Sequence, residues 1–402
     1  MSRTIPIIPR AAAALKSHAP QLSAPPPLSL YIHYPWCVRK CPYCDFNSHN
    51  VKDTGIPEQA YVDALLRDLE TSLPRVWGRR VHSIFIGGGT PSLLSPEGLD
   101  RLLTTTRTLL PLEPDCEITL EANPGTVESA RFAAFRAAGV TRVSVGIQSF
   151  NETHLKALGR IHDRTQAIQA LEAAATHFDT WNADLMYALP QQTLAEAEAD
   201  LAQALQFAPP HLSCYHLTLE PNTLFHRDPP SLPDDETSAD MQEMIEAKLA
   251  EAGYNHYETS AFAQAGHKCR HNLNYWRFGD YLGIGAGAHG KLSDHLGVHR
   301  QMRHKHPNTY LERSAQDDFI QEQHTVEAHE LPFEFMMNAL RLTEGVPRSL
   351  FQERTGLPLD AIEDKLIGAR QRGLLEITDS LIRPTERGQR FLNDLLEHFL
   401  AH

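Results

Sequence analysis

From residue 29 onward, short apolar or β-branched runs alternate with longer segments whose apolar residues recur at helical spacing. This alternation is typical of repeated β/α units that share a parallel sheet. Six strands are predicted, at 29–34, 82–86, 117–121, 141–147, 182–187 and 212–219. Helices are predicted at 57–72, 96–109, 126–138, 163–177, 193–206 and 236–252. The pattern therefore predicts an α/β fold, an incomplete parallel (β/α)6 TIM-like barrel over residues 28–252.

The rest of the chain has a different pattern. Residues 253–325 are rich in Gly, His and aromatic residues, and they are predicted to form an irregular connecting region. Residues 326–402 regain helical spacing and contain two short strand-like runs, at 374–378 and 381–384. This combination predicts a mostly helical, winged-helix-like C-terminal domain.

The first 27 residues contain three basic residues, no acidic residue and a run of three prolines. This composition predicts a disordered leader, although an organellar transit peptide stays open because such segments are basic and poor in acids. A signal peptide is not expected, since the segment lacks a continuous apolar core. No apolar run approaches the roughly 20 residues of a membrane span.

The net charge of the chain limits the kinds of partner that it is expected to bind. The chain has 402 residues with 37 Lys and Arg against 50 Asp and Glu, a net charge of -13. Such a charge repels phosphate backbones, so nucleic acid is not an expected partner. The C-terminal segment 326–402 has 9 basic and 13 acidic residues, which favours an interaction or lid role over DNA binding.

Three of the six cysteines, Cys37, Cys41 and Cys44, lie within eight residues directly after the first predicted strand. This spacing favours a metal site in a reducing compartment, so a cytoplasmic location is expected. A zinc site with His33 or His49 as fourth ligand is one alternative. The other is a 4Fe-4S cluster whose fourth iron has no protein ligand and can bind a small molecule.

Further polar or glycine residues follow the other predicted strands. In parallel α/β barrels these strand ends converge on one face, where the active site lies. Glycines there allow close approach to a ligand and can donate N–H groups. The candidates are Gly87, Gly88, Gly89, Thr90, Glu121, Gln148 and Asp184, with Arg160 after the fourth strand.

Long motifs identify a resemblance. The segments YIHYPWCVRKCPYCDFNSH, FIGGGTPSLL, LEANPGT, VSVGIQSF, DLMYALPQQT and HNLNYWRFGDYLGIGAGAHG resemble the coproporphyrinogen-oxidase-like radical S-adenosylmethionine (SAM) family from about residue 28 to the C-terminus. The resemblance implies that Cys37, Cys41 and Cys44 bind the cluster, and that SAM chelates the open iron. It also implies a set of residues that line SAM: Tyr31, Gly88, Gly89, Thr90, Glu121, Gln148, Arg160 and Asp184.

Two features bear on the reaction. Coproporphyrinogen oxidases of this family have a further cysteine two residues after the third, and this chain has Phe46 there. The segment His271–Trp276 resembles the HNxxYW stretch of haem-binding members, which makes His271 a candidate haem ligand. A structural turn is the alternative for this segment. Cys269 is expected to be an inert buried thiol.

The sequence thus favours a haem chaperone that delivers haem to haemoproteins such as respiratory enzymes. Oxygen-independent coproporphyrinogen III dehydrogenation, which would need a deoxyadenosyl radical, is the first alternative, and Phe46 speaks against it. Another radical SAM reaction, on haem or on an unrelated substrate, is the second. A purely electron-carrying protein is the least favoured. An electron donor is expected, while a homodimer, peripheral membrane contact and the enzymatic status stay open.

Overall fold

The computed structural model describes residues 20–125 and 129–400. The chain divides into two compact units. Among the described residues, the first comprises 27–292 and 300–324, and the second comprises 20–26, 293–299 and 325–400. The predicted leader lies outside the described residues as far as residue 19.

The first unit contains all six predicted strands, and they pair in parallel in chain order. Each strand is followed by at least one helix, so the predicted incomplete (β/α)6 barrel is confirmed. The strands are β1 Leu28–Tyr34, β2 Val81–Gly88, β3 Leu112–Ala122, β4 Arg142–Gln148, β5 Thr180–Tyr187 and β6 His211–His216.

Several helices of this part begin at residues whose side chains cap the first turn. Asp163 and Thr193 each form a capping box with the residue three positions later, at the start of α5 and α6. These boxes satisfy backbone N–H groups that the first turn leaves unpaired. The helices are α1 Glu58–Val76, α2 Pro96–Leu109, α3 Ser129–Ala138, α4 Glu152–Ala157, α5 Arg164–His177, α6 Leu194–Leu205, α7 Leu224–Arg227 and α8 Asp235–Glu251.

The two faces of the parallel strands have opposite chemistry, because side chains alternate along a strand. Leu30 and Ile32 of β1 belong to the apolar core that includes Leu65 and Leu69 of α1. On the inner face, β1 and β2 meet through a hydrogen bond of 2.7 Å between the Ser29 and Ser83 hydroxyls. The barrel interior is therefore polar, and the apolar core lies between the sheet and its helices.

Residues 253–325 were predicted to be irregular, and that prediction was wrong. The added elements are β7 Asn255–Glu258, β8 Ala261–Ala263, α9 Arg270–Trp276, β9 Asp280–Ile284, β10 His289–Asp294, β11 Gly297–Arg303, α10 Pro307–Ser314 and β12 Ile320–Thr325. Their strands lie on both sides of the parallel core and give a twelve-stranded open sheet of order β12-β11-β10-β9-β1-β2-β3-β4-β5-β6-β8-β7. Strand β9 pairs in parallel with β1, far away in sequence.

The second unit is mostly helical and contains a three-stranded sheet of order β13-β15-β14. The predicted hairpin is present as the antiparallel pair β14 and β15. The elements are α11 Leu331–Ala339, β13 Val346–Pro347, α12 Arg348–Thr355, α13 Glu363–Gln371, β14 Leu375–Ile377, β15 Leu381–Pro384, α14 Glu386–Arg390 and α15 Leu392–Glu397. In the described part of the chain, no helix combines the length and apolarity that crossing a bilayer would require.

Candidate functional site

A cavity of about 470 Å³ lies at the C-terminal ends of the parallel strands. It is where a parallel barrel brings its strand-end side chains together. Ten of the residues predicted to form the site line it, and they come from the loops and ends of five different β/α units. They are Cys37, Cys41, Cys44, Gly88, Gly89, Thr90, Glu121, Gln148, Arg160 and Asp184. Tyr31 and His271 are not on this lining.

The cysteine loop is folded back on the end of β1. Trp36–Cys37 pairs in parallel with His49–Asn50. The Asn47 side chain donates hydrogen bonds to the carbonyls of Ala286, at 3.0 Å, and Lys305, at 2.8 Å. The loop is thus tied at both of its ends, so its three thiols are held on one wall of the cavity.

The two histidines considered as a fourth zinc ligand, His33 and His49, are engaged elsewhere. Both ring nitrogens of His33 are already bonded, Nδ1 to the Tyr31 hydroxyl at 2.8 Å and Nε2 to the Asn47 carbonyl at 2.9 Å. His49 lies off the cavity and contacts the His306 ring. Among the described residues, no three Cys, His, Asp or Glu side chains converge on one ion. In a cubane each thiolate binds a different iron, so convergence on a single point is not needed.

The burial of the thiols disfavours their ionised form, which a nearby positive charge would stabilise. Burial raises the pKa of Cys37 and of Cys44 above the ordinary range of a thiol. The Lys40 side chain opposes this effect at Cys44 by its charge, and its ammonium also donates to the Phe46 carbonyl at 2.8 Å. Bound metal supplies the positive charge that lets buried thiols ionise.

The glycine-rich turn at the end of β2 packs closely against the rest of the barrel, and its N–H groups donate hydrogen bonds within the protein. Gly89 N–H donates to the Tyr34 carbonyl and Thr90 N–H to the Trp36 carbonyl. Gly88 has φ +117, and a Cβ there would meet the His33 ring at 2.5 Å. The Gly89 and Thr90 N–H groups, which were expected to donate to a ligand, are therefore already bonded within the protein. The glycine at position 88 instead lets the backbone pass close to the His33 ring.

Arg160 links the cysteine loop to two strand ends. Its Nη1 lies 3.7 Å from Cys41 Sγ, and its Nη2 donates to Asn123 Oδ1 at 2.6 Å and to the Gly146 carbonyl at 2.8 Å. Its Nε is buried and has no hydrogen-bond partner among the described residues. A guanidinium so placed can stabilise a thiolate and still offer a donor to an anionic group. Arg160 is half-buried in this position, unlike an arginine of an ordinary surface ion pair.

Two carboxyl groups face the cavity, Glu121 from β3 and Asp184 from β5, the strands on either side of β4. Glu121 Oε2 accepts from Gly88 N–H at 3.0 Å, while Asp184 accepts from Ser144 Oγ at 2.9 Å and Asn182 Nδ2 at 2.7 Å. Burial, and secondarily the charge of Asp184, raise the pKa of Glu121 to about 7. Burial also raises the pKa of Asp184, against its hydrogen bonds. The pair favours a cationic ligand, because a positive charge would let both carboxyl groups ionise.

The raised pKa of Glu121 predicts that the folding stability of the apoprotein depends on pH. Below pH 4.5 the Glu121 carboxyl is protonated in both the folded and unfolded apoprotein; between pH 4.5 and about 7 only the unfolded state releases its proton. Stability therefore falls as pH rises through this window. We expect Glu121→Gln to reduce that fall by roughly 1–3 kcal/mol. Urea unfolding of the apoproteins at pH 5 and pH 8 measures it. Glu172→Gln on α5 is the exposed control, and an equal fall in Glu121→Gln and wild type would contradict the assignment.

Gln148 and Tyr31 occupy different positions relative to the cavity. Gln148 ends β4 with φ +69, a left-handed conformation that is costly for a residue with a side chain and is often found at functional sites. Tyr31 lies outside the lining, where its ring stacks on Phe85 at 6.4 Å and its hydroxyl bonds His33. Tyr31 thus lies next to the cysteine loop, and the SAM contact predicted for it stays a prediction.

His271 lies beneath the cavity floor. It is 1% exposed, its ring stacks on Phe85 at 5.0 Å, and its Nδ1 bonds the Ser83 hydroxyl at 3.0 Å. Its Nε2 has no hydrogen-bond partner among the described residues, and burial lowers its pKa to about 3. The ring is a neutral imidazole with one free nitrogen, but haem cannot reach that nitrogen in this conformation. Cys269 is fully buried, as expected of an inert thiol.

Several lining residues were missed by the sequence analysis. They include Arg142, Ser144, Asn182, His211, Ser213 and His216. For all of these except His216 the signal was present, since polar residues at every second position of a barrel strand point to its interior. Asn123, within the quoted LEANPGT segment, was also missed; it orients both Arg160 and Thr90.

Comparison with known proteins adds family relationships. Residues 31–204 match the Radical SAM superfamily and residues 326–391 match the HemN C-terminal domain. Heme chaperone HemW of Haemophilus influenzae is 50% identical over 383 residues, covering 94% of this chain and 98% of the relative. The Escherichia coli K12 protein of the same name is 51% identical over 378 residues, covering 94% and 99%. The Bacillus subtilis one is 33% identical over 381 residues, covering 93% and 99%.

Among solved structures, the radical SAM enzyme coproporphyrinogen III oxidase (HemN) from Escherichia coli has a TM-score of 0.79 and 23% identity. The match covers 93% of this chain and 90% of that one. At this identity the likeness shows the fold, and it carries no statement about the reaction.

Proposed function

The chain belongs to the HemW family of radical SAM proteins, and from this premise we propose that it binds haem and delivers it intact to haemoproteins. The observation that carries the proposal is the identity of 50–51% to relatives named heme chaperone over nearly the full length of both chains. The match runs through the barrel and the C-terminal domain alike. A shared superfamily core alone would not give such coverage.

We propose that Cys37, Cys41 and Cys44 hold a 4Fe-4S cluster, with SAM beside it in the cavity. When bound, these groups supply an electron and a site for reductive cleavage of SAM. The protein's own contribution is positional: Arg160 lies against Cys41, and the Glu121 and Asp184 carboxyl groups can pair with the positive charges of SAM. An electron donor would reduce the cluster. Cysteines left reduced for this purpose favour the cytoplasm as the working compartment.

Carriage of haem is favoured over dehydrogenation of coproporphyrinogen. Phe46 stands where the oxidases of the wider family are expected to have a fourth motif cysteine, and its side chain is 59% exposed at the cavity mouth. An aromatic group there can contact a porphyrin, but it cannot supply thiol chemistry. The protein would then keep the scaffold of a radical enzyme and use it for transfer of an intact cofactor, with respiratory haemoproteins as the expected acceptors.

One preparation tests both functions. We expect anaerobically reconstituted protein to bind haem at a ratio near one per chain and to pass it to apomyoglobin, used as a neutral acceptor. Incubation with SAM, dithionite and coproporphyrinogen should give no protoporphyrinogen by chromatography. Formation of protoporphyrinogen, disappearance of haem during turnover, or no haem binding at all would contradict the proposal.

A further inference from the structure

The deep end of the cavity contains a buried arginine. Arg142 begins β4, and the alternate residues Val143 and Val145 belong to the apolar core on the helix side of the sheet. Because side chains alternate along a strand, Arg142 and Ser144 point into the barrel, where both line the cavity. Arg142 lies at the opposite end of β4 from Gln148, and therefore below the predicted SAM residues. We call this part of the cavity the lower chamber; its lining residues are Phe85, Arg142, Asn182, His211, Ser213 and Asn272.

The Arg142 guanidinium is buried and incompletely paired. Arg142 is 2% exposed, and its Nε has no hydrogen-bond partner among the described residues. Thr119, its register partner on β3, has a buried hydroxyl that also lacks a partner there. Glu117 acts on the guanidinium through its charge, but its carboxylate accepts from the N–H groups of Arg270 and His271, at 3.3 and 3.2 Å. A buried cation that lacks its own anion is costly, so a bound anion is expected beside it.

Other polar groups of the lower chamber are already bonded to one another. Asn182 Nδ2 donates to Ser144 Oγ at 2.7 Å, and its Oδ1 bonds His211 Nδ1 at 2.7 Å. The same Oδ1 accepts from Ser213 Oγ at 3.2 Å, while His211 Nε2 bonds the Tyr257 hydroxyl at 2.8 Å. Burial lowers the pKa of His211 well below its ordinary value, so the ring is neutral. These bonds fix the chamber wall, and none of them satisfies the guanidinium Nε.

Charge and shape select the class of ligand. We propose that the lower chamber binds a small organic molecule through a carboxylate, which pairs with the Arg142 guanidinium. The planar guanidinium matches a carboxylate in a two-bond fork, and the Phe85 ring offers an apolar contact to the carbon skeleton. A water molecule would accept from Nε but would leave the buried charge uncompensated. A phosphate dianion would be repelled more strongly than a monoanion by Glu121 and Asp184 of the same cavity.

The first test measures the thermal midpoint, Tm, of the full-length, anaerobically reconstituted protein in sodium acetate, with sodium chloride at equal ionic strength as the reference. Acetate should raise the Tm saturably, because a ligand that binds only the folded state stabilises it. Arg142→Met removes the charge and should weaken the apparent acetate affinity by about 10-fold or more. Arg136→Met on α3 changes an exposed arginine and is the matched control; it should respond as wild type does.

A second pair of variants keeps the test decisive if Arg142→Met fails to fold. Thr119 pairs in register with Arg142 on the neighbouring strand, so the two side chains lie on the same face of the sheet. Thr119→Asp would supply a carboxylate to the guanidinium from within the protein, and Thr119→Asn is its uncharged counterpart of equal size. In chloride we expect a higher Tm for Thr119→Asp than for Thr119→Asn, together with loss of the acetate response in Thr119→Asp.

Four results would overturn the carboxylate site. They are a wild-type Tm that responds to acetate no more than to chloride, a Thr119→Asp protein less stable than Thr119→Asn, and stronger stabilisation by inorganic phosphate than by acetate. The fourth is loss of the acetate response in saturating SAM, which would assign the guanidinium to SAM itself. The site goes beyond the proposed haem carriage and does not depend on it, so failure of wild type to bind haem would overturn that function and leave this inference standing.

Discussion

Cys41→Ser should leave the protein unable to hold an intact cluster. Two thiolates hold a cubane poorly, and a serine hydroxyl ionises far less readily than a thiol, so it is a weak substitute. Cys41 is also the thiol that Arg160 contacts, at 3.7 Å. After anaerobic reconstitution we therefore expect iron and sulfide per chain to drop to a small fraction of the wild-type content, together with the visible absorption of the cluster.

The control for this loss is Cys214→Ser. Cys214 is buried within β6 and belongs to the apolar core, away from the cavity lining. We expect Cys214→Ser to keep the full content of iron and sulfide, at some cost in stability. Wild-type iron and sulfide in Cys41→Ser, or equal losses in both variants, would remove Cys41 from the set of cluster ligands.

Asp68→Ala should destabilise the protein more than any exposed charge substitution. Asp68 is fully buried on α1, and it accepts hydrogen bonds from Arg303 Nε at 3.0 Å, the Tyr310 hydroxyl at 2.8 Å and Gly285 N–H at 3.2 Å. Removing the carboxylate leaves the buried Arg303 guanidinium without an anionic partner, with only the Gln301 and Ser72 side chains accepting from it. That loss costs about 3–5 kcal/mol. The free energy of unfolding in urea measures it.

The neighbouring pair of Arg67 and Asp317 supplies the comparison. Both side chains are 48% exposed, and pairs of this kind contribute about 0–1 kcal/mol. Arg67→Ala removes this exposed pair and should change the free energy of unfolding by less than about 1 kcal/mol. If Asp68→Ala were no more harmful than Arg67→Ala, the buried network would not be what ties α1 to β11 and α10.

The parallel core could be predicted because its strands are apolar runs followed by segments with helical spacing, most of which have a start signal such as Pro, Ser, Thr or Asp. Both signals are local, so the sequence contains them directly. The strands after residue 253 could not be predicted in this way. Asp280–Ile284 becomes a strand by pairing with Leu28–Tyr34, almost the whole barrel away in sequence. Short strands containing glycine and histidine acquire their structure from such pairing and not from their own pattern.

The residues of the site also fall into those that local sequence predicts and those that depend on distant contacts. The cysteine spacing and the polar strand ends were predictable, because the topology of a parallel barrel converges them. The bonding of the glycine-turn N–H groups and the burial of His271 could not be predicted, since each depends on contacts between elements that are distant in sequence. Asn123 is an example of a site residue that the sequence analysis missed. Its side chain bonds both Arg160 and Thr90, and no local sequence pattern predicts these contacts.

The most direct measurement is the response of the cluster to SAM. In ⁵⁷Fe-reconstituted wild-type protein, Mössbauer spectroscopy should distinguish one iron from the other irons of the cubane when SAM is added, because three thiolates leave one iron to be chelated. Cys214→Ser should respond in the same way. If the spectrum is unchanged by saturating SAM, or if the purified protein contains zinc in place of iron, the account of this cavity is contradicted.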